Sequence, residues 1–206
     1  MITYEEYLNA DTKRAFLEGS RHFERESRVH RTLERIAKRL DEIGVPYAVA
    51  GGMAMFFHGY RRFTEGVDIL VTPEGLKKIH EELEGLGYAP PFEKSRHLRD
   101  TETGVKIEFL VTGGYPGDGK PKPVAFPDPA VVFVEIDGIR FVDLHKLIEL
   151  KLASGTAVHR MKDLVDVQSM IERLNLPRDL SDNISPYVRD SYLKLWEVAN
   201  SPHQEP

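Results

Sequence analysis

The stretch that most constrains the fold is residues 50–71, AGGMAMFFHGYRRFTEGVDILV. Two adjacent glycines, Gly51 and Gly52, close the apolar run PYAVA, and a second apolar run, VDILV, follows further along. Short apolar runs bounded by glycine are typical of buried strands. The segment between them is apolar enough for a buried helix and ends near Gly59. The stretch therefore predicts a strand–helix–strand unit within an α/β domain.

The segments on either side predict helices around a strand-rich centre. VHRTLERIAKRLDEIG carries one apolar stripe and is stopped by Gly44 and Pro46. PEGLKKIHEELEGLGY predicts a helix that buries the following side chains: Leu76, Ile79, Leu83 and Leu86. Turn residues predict hairpins at Thr103–Gly104 and Asp137–Gly138, and the glycines and prolines of residues 113–129 predict a loop.

From Asp143 onward the chain is predicted to be helical. Asp143 suits the N-cap of the helix in DLHKLIELKLASG, and YVRDSYLKLWEVAN predicts a last helix. The helix between them is expected to bury these side chains: Met161, Leu164, Val165, Val167, Ile171 and Leu174. The predicted organisation is an N-terminal helical segment (1–44), an α/β core (45–141) and a helical C-terminal part (142–206).

Composition excludes several classes of protein. The 206 residues are 41% hydrophobic and 30% charged, as in ordinary soluble globular proteins. The absence of cysteine excludes disulfides and cysteine-ligated zinc. Neither a signal-peptide core nor an apolar run of bilayer length is present, so we expect a cytoplasmic protein with no membrane partner. The net charge of −5 argues against a general nucleic-acid coat protein but leaves room for a small basic site for nucleotide or tRNA.

Two carboxylates lie in apolar surroundings. Asp68 opens VDILV, and Glu108 is set in the apolar run VKIEFL. A half-buried carboxylate costs several kcal/mol unless it is paired or bound to metal. If their strands are neighbours, Asp68 and Glu108 could hold Mg²⁺, which commonly takes a few protein oxygens plus water and phosphate oxygens. The alternative is that each carboxylate points to solvent from an edge or an exposed face.

The glycine pair admits two interpretations. Backbone N–H groups of Gly51 and Gly52 at a helix start could face a bound anion. By itself, however, such a pair more often serves a tight turn or close packing. Arg61 and Arg62 follow the short helix and could contact phosphate or simply lie in solvent.

The sequence resembles a known superfamily in two places. GGMAMFFHGYRRFTEGVD resembles the first motif of the DNA polymerase beta-type nucleotidyltransferases, in which a glycine pair and a helix precede Asp-x-Asp on the next strand. DLHKLIELKLASGTAVHRMKDLVDV resembles the downstream helical motif of the AbiEii-like nucleotidyltransferases. The resemblance covers about Val45 to Leu174, and the downstream motif matches these residues: Asp143, Lys151, Arg160, Lys162, Asp163 and Asp166.

The resemblance implies a fold, an activity and a site. The fold would be a nucleotidyltransferase-like mixed sheet flanked by helices, with a helical C-terminal part. The activity would be Mg²⁺-dependent transfer of a nucleotide from an NTP to a hydroxyl of RNA or protein, in a toxin–antitoxin or phage-defence setting with tRNA or an antitoxin as partner. Asp68 and Glu108 would hold the metal, and Lys151 would approach the phosphates as a third catalytic residue. Nucleotide contacts would come from Gly51, Gly52, Arg61, Arg62, Arg160, Lys162 and Asp163.

The sequence departs from the family pattern at Gly66. The first Asp of Asp-x-Asp would stand there, on the same strand face as Asp68. Glu65 is adjacent, but it would reach that face only through a bulge, which Gly66 would permit. The degenerate motif supports an alternative function: a nucleotide- or partner-binding module of the same fold without turnover.

Overall fold

A seven-stranded mixed sheet forms the centre of the protein, whose computed structural model describes residues 2–201. Its order is β3-β4-β5-β2-β1-β7-β6. The β2–β5 and β1–β7 pairs are parallel, and the other pairs are antiparallel. The strands are β1 (Tyr47–Ala50), β2 (Gly66–Val71), β3 (Tyr88–Ala89), β4 (Leu98–Asp100), β5 (Lys106–Val111), β6 (Phe133–Ile136) and β7 (Ile139–Val142).

Helices pack around this sheet and continue beyond it in the C-terminal part, which confirms the predicted fold class of a mixed sheet flanked by helices. They are α1 (Tyr4–Asn9), α2 (Thr12–Phe23), α3 (Arg28–Glu42), α4 (Gly51–Phe57), α5 (Pro73–Leu83), α6 (Leu144–Gly155), α7 (Lys162–Leu174) and α8 (Pro186–Ala199). The predicted cap at Asp143 is present, since its Oδ1 accepts a hydrogen bond from the Lys146 N–H at 3.0 Å.

The central strands read as apolar runs because they are buried on both faces. All four residues of β1 are buried, as are Val67 and residues 69–71 of β2. β5 instead alternates, with Ile107 and Phe109 buried and Lys106, Glu108 and Leu110 partly exposed. Because successive side chains of a strand point to opposite faces, the three partly exposed residues share one face of the sheet.

Both predicted hairpins form. β4 and β5 pair antiparallel across the turn that holds Thr103–Gly104. Asp137 and Gly138 join β6 to β7 with positive φ angles of 53° and 77°, as a two-residue hairpin turn requires. Residues 113–128 contain no helix or strand, as predicted, and are attached to the core through buried Val124 and partly buried Phe126.

Three apolar side chains that were predicted to be buried are exposed. Helix α5 ends at Leu83, so Leu86 lies beyond it and is 65% exposed. Met161 and Val165 are each 61% exposed, because α7 turns Asp163 and Asp166 inward and its apolar stripe is rotated accordingly. The apolar pattern alone gave the wrong face at the start of α7.

Buried apolar residues from α3, the sheet and α6–α8 join in one core cluster. The three predicted segments, divided at residues 44 and 141, therefore share one core, and their division stays a prediction. Within residues 2–201, no helix combines the length and apolarity that crossing a bilayer requires.

Candidate functional site

The two predicted carboxylates face the same cavity. β2 and β5 pair in parallel with Asp68 directly opposite Glu108. Both side chains line a cavity of about 330 Å³. The cavity is also lined by every other predicted site residue except Arg61: Gly51, Gly52, Arg62, Lys151, Arg160, Lys162 and Asp163. The roles assigned to these residues stay predictions, but the structure brings them to one place.

The glycine pair is required by close packing. Gly51 has a φ of +58°, and a Cβ added there would lie 1.8 Å from Asp68 Oδ2. A Cβ on Gly52 would lie 2.6 Å from the Thr64 hydroxyl oxygen. The backbone at the start of α4 lies directly against the Asp68 carboxylate, and for that reason no side chain fits at position 51. The close-packing interpretation of the glycine pair is confirmed, and its contact with nucleotide stays a prediction.

The two carboxylates differ in how they are compensated. Burial, followed by the charge of Glu108, raises the pKa of Asp68 to about 6, although Lys151 opposes the shift. Burial would also raise the pKa of Glu108, but the hydrogen bond and charge of Lys106 hold it below its usual range. The pair is therefore short of positive charge at Asp68, where an additional cation would be most stabilised.

This donor set fits one Mg²⁺ that arrives with phosphates. Mg²⁺ is commonly bound through one or two carboxylates, with water and substrate phosphates completing its shell. In residues 2–201, no group of three or more His, Asp or Glu side chains gathers in a geometry that could hold a metal ion. The cavity therefore offers two protein ligands, Asp68 and Glu108, and no complete protein cage.

Gly66 offers no ligand, and the strand around it is regular. Residues 66–71 pair one to one with residues 106–111, so β2 has no bulge. Gly66 is also absent from the residues with positive φ. Glu65 lines the cavity from the position before the strand and is exposed. The bulge that would have brought Glu65 onto the Asp68 face is thus not formed.

A buried network of charges builds one side of the cavity. Lys151 on α6 is 7% exposed, and its Nζ donates to Asp163 Oδ1 at 2.9 Å and to Asp166 Oδ2 at 2.8 Å. Asp163 Oδ2 also accepts from the Ser154 hydroxyl at 2.7 Å. Burial would raise the pKa of Asp163, but Lys151 and these hydrogen bonds hold it below its usual range.

Two arginines complete this side of the cavity. Arg160 Nε donates to Asp163 Oδ2 at 2.9 Å, and Arg62 Nη2 donates to Asp166 Oδ2 at 3.1 Å. We call these five residues the basic wall, because three cations (Arg62, Lys151, Arg160) face two carboxylates (Asp163, Asp166). Lys162 lies beside it, exposed and also lining the cavity.

Arg61 is the one predicted site residue that does not line the cavity. Its guanidinium carbon lies 5.7 Å from the centre of the Phe56 ring, and the residue is exposed. Arg62, by contrast, lines the cavity and contacts Asp166. Arg61 therefore lies outside the cavity in this structure, and its contact with nucleotide stays a prediction. His58 has the structural role that a lone histidine most often has, with its Nε2 2.7 Å from the Val142 carbonyl oxygen.

Sequence reasoning missed three contributions to the site. Lys106 forms an ion pair with Glu108. His22 on α2 is fully buried, and its Nε2 lies 3.0 Å from the carbonyl oxygen of Arg62, so the N-terminal helices hold the segment that carries Arg62. For Lys106, its position two residues before Glu108 was a usable signal; His22 offered none, because its partner is distant in the chain.

The third contribution is a more apolar compartment beside the carboxylate pair. This cavity of about 390 Å³ shares six residues with the first: Gly51, Asp68, Glu108, Lys151, Arg160 and Asp163. Among the side chains that it adds, Arg96, Asp118 and Ser154 are polar. We define the apolar compartment by the apolar and aromatic side chains among them: Leu110, Tyr115, Phe126, Leu147 and Leu150. Tyr115 and Phe126 come from the loop of residues 113–129. The carboxylates therefore line both cavities, with the basic wall beside them and the apolar compartment within the second cavity.

No protein-family model matches the chain, and no curated protein matches it. Similar solved structures include a candidate nucleotidyltransferase from Thermotoga maritima, at 21% identity over 66% of this chain and 89% of that chain, with a TM-score of 0.47. An antigenic nucleotidyltransferase-like protein from Paracoccidioides brasiliensis is 16% identical over 68% of this chain and 73% of its own, with a TM-score of 0.42. ANT(2'')-Ia in complex with adenylyl-2''-tobramycin is 14% identical over 82% of this chain and 88% of its own, also with a TM-score of 0.42.

These structural neighbours are thus nucleotidyltransferases or nucleotidyltransferase-like proteins at low sequence identity. The AbiEii-like resemblance stays a prediction.

Proposed function

We propose that the protein transfers a nucleotide from an NTP to a hydroxyl acceptor. The observation that carries this proposal is the position of the Asp68–Glu108 pair, which lines both cavities and so has the basic wall and the apolar compartment beside it. Nucleotide transfer requires positive charge that binds the triphosphate and a metal-binding group beside its α-phosphorus. The basic wall would supply the first, and the carboxylate pair would supply the second.

The basic wall would bind the phosphates. Its three cations outnumber its two carboxylates, and Lys162 adds a further positive charge at the rim. Asp163 is 1% exposed, and its oxygens are engaged by Lys151, Ser154 and Arg160. Asp163 would therefore act by holding cations in position instead of touching the nucleotide itself.

Asp68 and Glu108 would hold Mg²⁺ together with the phosphates. Bound there, Mg²⁺ would supply neutralisation of phosphate charge. The transfer itself would form a bond between the acceptor oxygen and the α-phosphorus, break the bond from the α-phosphorus to the departing pyrophosphate, and release the hydroxyl proton to solvent. Asp68 lies against the backbone of Gly51, which fixes its carboxylate at the cavity surface. Its raised pKa of about 6 indicates a carboxylate that gains from an added cation.

The acceptor would enter through the apolar compartment, where Tyr115 and Phe126 offer rings for stacking or apolar contact. The AbiEii-like resemblance supports a hydroxyl of RNA, with tRNA as one candidate, or of protein. It also supports a role as the toxin of a toxin–antitoxin or phage-defence pair with a cognate antitoxin.

Calorimetry with each of the four NTPs and Mg²⁺ tests the first step. We expect binding that weakens as salt rises, because the basic wall is partly open to solvent. Transfer is then measured with labelled NTPs and bulk tRNA or protein. Asp68→Asn should reduce transfer by about 100-fold or more without lowering the melting temperature. Absence of binding to any NTP at millimolar ligand and low salt would refute the proposal.

A second function is favoured by Gly66. Gly66 supplies no oxygen, and within residues 2–201 no third acidic or histidine side chain joins Asp68 and Glu108 in a geometry that could hold a metal ion. The pair therefore has one carboxylate fewer than the family motif. The protein would then be a nucleotide- or partner-binding module without turnover. NTP binding in calorimetry, combined with no transfer to any RNA or protein acceptor, would select this function.

A further inference from the structure

Lys106 lies beside the carboxylate pair and completes a rectangle of four positions on one face of the sheet. Gly66 and Asp68 are two residues apart on β2, and Lys106 and Glu108 are two residues apart on β5. The strands pair in register, with Gly66 opposite Lys106 and Asp68 opposite Glu108. Because residues two apart share a strand face, these four positions face the same side.

The charges of this rectangle are two carboxylates and one ammonium. Lys106 Nζ forms an ion pair with Glu108 Oε1, and the two side chains are 34% and 38% exposed. The position directly across from Lys106 on β2 is Gly66, which carries no charge. A cation of the protein itself therefore already occupies one oxygen of the pair that would bind metal.

We propose that Lys106 is a built-in counter-ion that competes with divalent metal for Glu108. A metal ion at the pair must either displace the ammonium from Glu108 Oε1 or bind beside it against charge repulsion. At separations of a few Å such repulsion persists even at high dielectric. The free protein would therefore bind divalent metal weakly, and tight binding would need the phosphates of a nucleotide. Only this last step rests on the proposed function.

The same geometry determines what a carboxylate at position 66 would do. A Cβ on Gly66 would lie 3.2 Å from the carbonyl oxygen of Lys106, so a side chain there requires this backbone oxygen to move by a few tenths of an ångström. An aspartate there would stand directly across from Lys106, where opposite charges attract. It would thus pair with the ammonium first, and it would become a metal ligand only when Lys106 is also replaced.

The test measures Mn²⁺ binding to the full chain without nucleotide at low salt. Binding is detected through the paramagnetic resonance signal of free Mn²⁺ and by calorimetry. Lys106→Met should tighten the Mn²⁺ dissociation constant by about tenfold, which corresponds to about 1.4 kcal/mol. Lys106→Gln serves as a second uncharged variant if the methionine variant melts early. Lys106→Arg keeps the charge and should stay within about twofold of the natural protein.

Lys77→Met is the matched control for net charge. Lys77 lies on α5 and pairs with Glu81 at 3.6 Å on the exposed surface. It should leave Mn²⁺ affinity unchanged, because the exposed ammonium of Lys77 is paired with Glu81 and contacts neither Asp68 nor Glu108. In the Lys106→Met background, Glu108→Gln or Asp68→Asn should abolish the gain and thereby locate the ion. Gly66→Asp should raise affinity more in that background than alone.

Three results would overturn the role of Lys106. The first is equal Mn²⁺ affinity in Lys106→Met and the natural protein, and the second is an equal gain of affinity in Lys77→Met. The third is no detectable Mn²⁺ binding in either uncharged variant, Lys106→Met or Lys106→Gln. Binding that is detectable only in the uncharged Lys106 variants would support it. These results do not depend on nucleotide. Absence of NTP binding would refute the proposed function but not the role of Lys106. Nucleotide transfer by the natural protein, combined with unchanged Mn²⁺ affinity in Lys106→Met, would refute the role of Lys106 but not the proposed function.

Discussion

Replacing Lys151 by methionine tests the charge network of the basic wall. Methionine keeps much of the length of the side chain but removes the ammonium, and so leaves Asp163 and Asp166 with fewer partners. Both aspartates are buried, at 1% and 7% exposure. Removing one partner of a buried ion pair typically costs about 3–5 kcal/mol.

The remaining partners of both aspartates place the expected cost somewhat below that range. Asp163 would retain Arg160 at 2.9 Å and the Ser154 hydroxyl at 2.7 Å, while Asp166 would retain Arg62 at 3.1 Å. Since neither carboxylate is left alone, we expect Lys151→Met to lower the free energy of unfolding by about 2–3 kcal/mol at pH 7.5.

The cost should shrink on acidification. Lys151 helps to hold the pKa of Asp163 below its usual range, against burial. A depressed folded pKa contributes stability that is present above the unfolded pKa of about 3.9 and is lost as pH falls through the folded value. In Lys151→Met the folded pKa of Asp163 rises, so that its protonation begins at higher pH and relieves the uncompensated charge. The difference between the two proteins should therefore be smaller at pH 4.5 than at pH 7.5.

Urea unfolding of both proteins at the two pH values measures these differences. Lys162→Met is the control, because Lys162 opens α7 at an exposed position and its loss should change stability by no more than about 0.5 kcal/mol. A cost for Lys151→Met below about 0.5 kcal/mol, or one that does not change between the two pH values, would refute this account of the network.

Two further predictions concern the glycine pair and a buried histidine. Gly51→Ala should lower the melting temperature and displace Asp68, since its Cβ would lie 1.8 Å from that carboxylate at a φ of +58°. Thermal melting should show a smaller loss for Gly52→Ala, because Gly52 does not have a positive φ, although its Cβ would lie 2.8 Å from Thr64 Cβ. Burial lowers the pKa of His30 to about 4, so this neutral histidine contributes stability that is complete above about pH 6.5 and is lost as pH falls toward 4. Urea unfolding at pH 7.5 and pH 5 should show a loss of about 2 kcal/mol from this residue, which His30→Gln should remove; an equal pH dependence in the variant would contradict the assignment.

The elements predicted well from sequence are those specified by local signals. Glycines bound the apolar runs that became β1 and β2, and turn residues sit at both hairpins. Asp143 caps α6 through its own side chain. In each case the information lies within a few residues, which is the range over which periodicity and turn chemistry act.

The register that creates the site could not be predicted in this way. Asp68 faces Glu108 because β2 and β5 pair in parallel, and between these strands the chain forms α5, β3 and β4. A shift of one residue would have placed the two carboxylates on opposite faces of the sheet. The resemblance to nucleotidyltransferases suggested the pairing, whereas the apolar pattern of each strand is equally compatible with solvent-facing carboxylates.

Buried charge was the other source of error. The start of α7 was assigned from its apolar residues, so Met161 and Val165 were expected inside. The aspartates are inside because Lys151, one helix earlier, meets them there. The side on which a charged residue lies thus depends on partners that a single helix does not contain.

The same network explains how an acidic chain can present a positively charged wall within the cavity. The net charge of −5 sums all residues, whereas a bound phosphate responds mainly to charges within about 10 Å. In the basic wall, two aspartates form ion pairs with three cations, so the wall keeps a net charge of plus one. The same ion pairs hold the cations in position before any ligand binds. Across the cavity, Lys106 reduces the negative charge of the carboxylate pair in the same way. Both sides of the cavity are therefore partly neutralised by the protein itself, and the remaining charges, positive on the wall and negative at Asp68, are those that a nucleotide with its metal ion would complement.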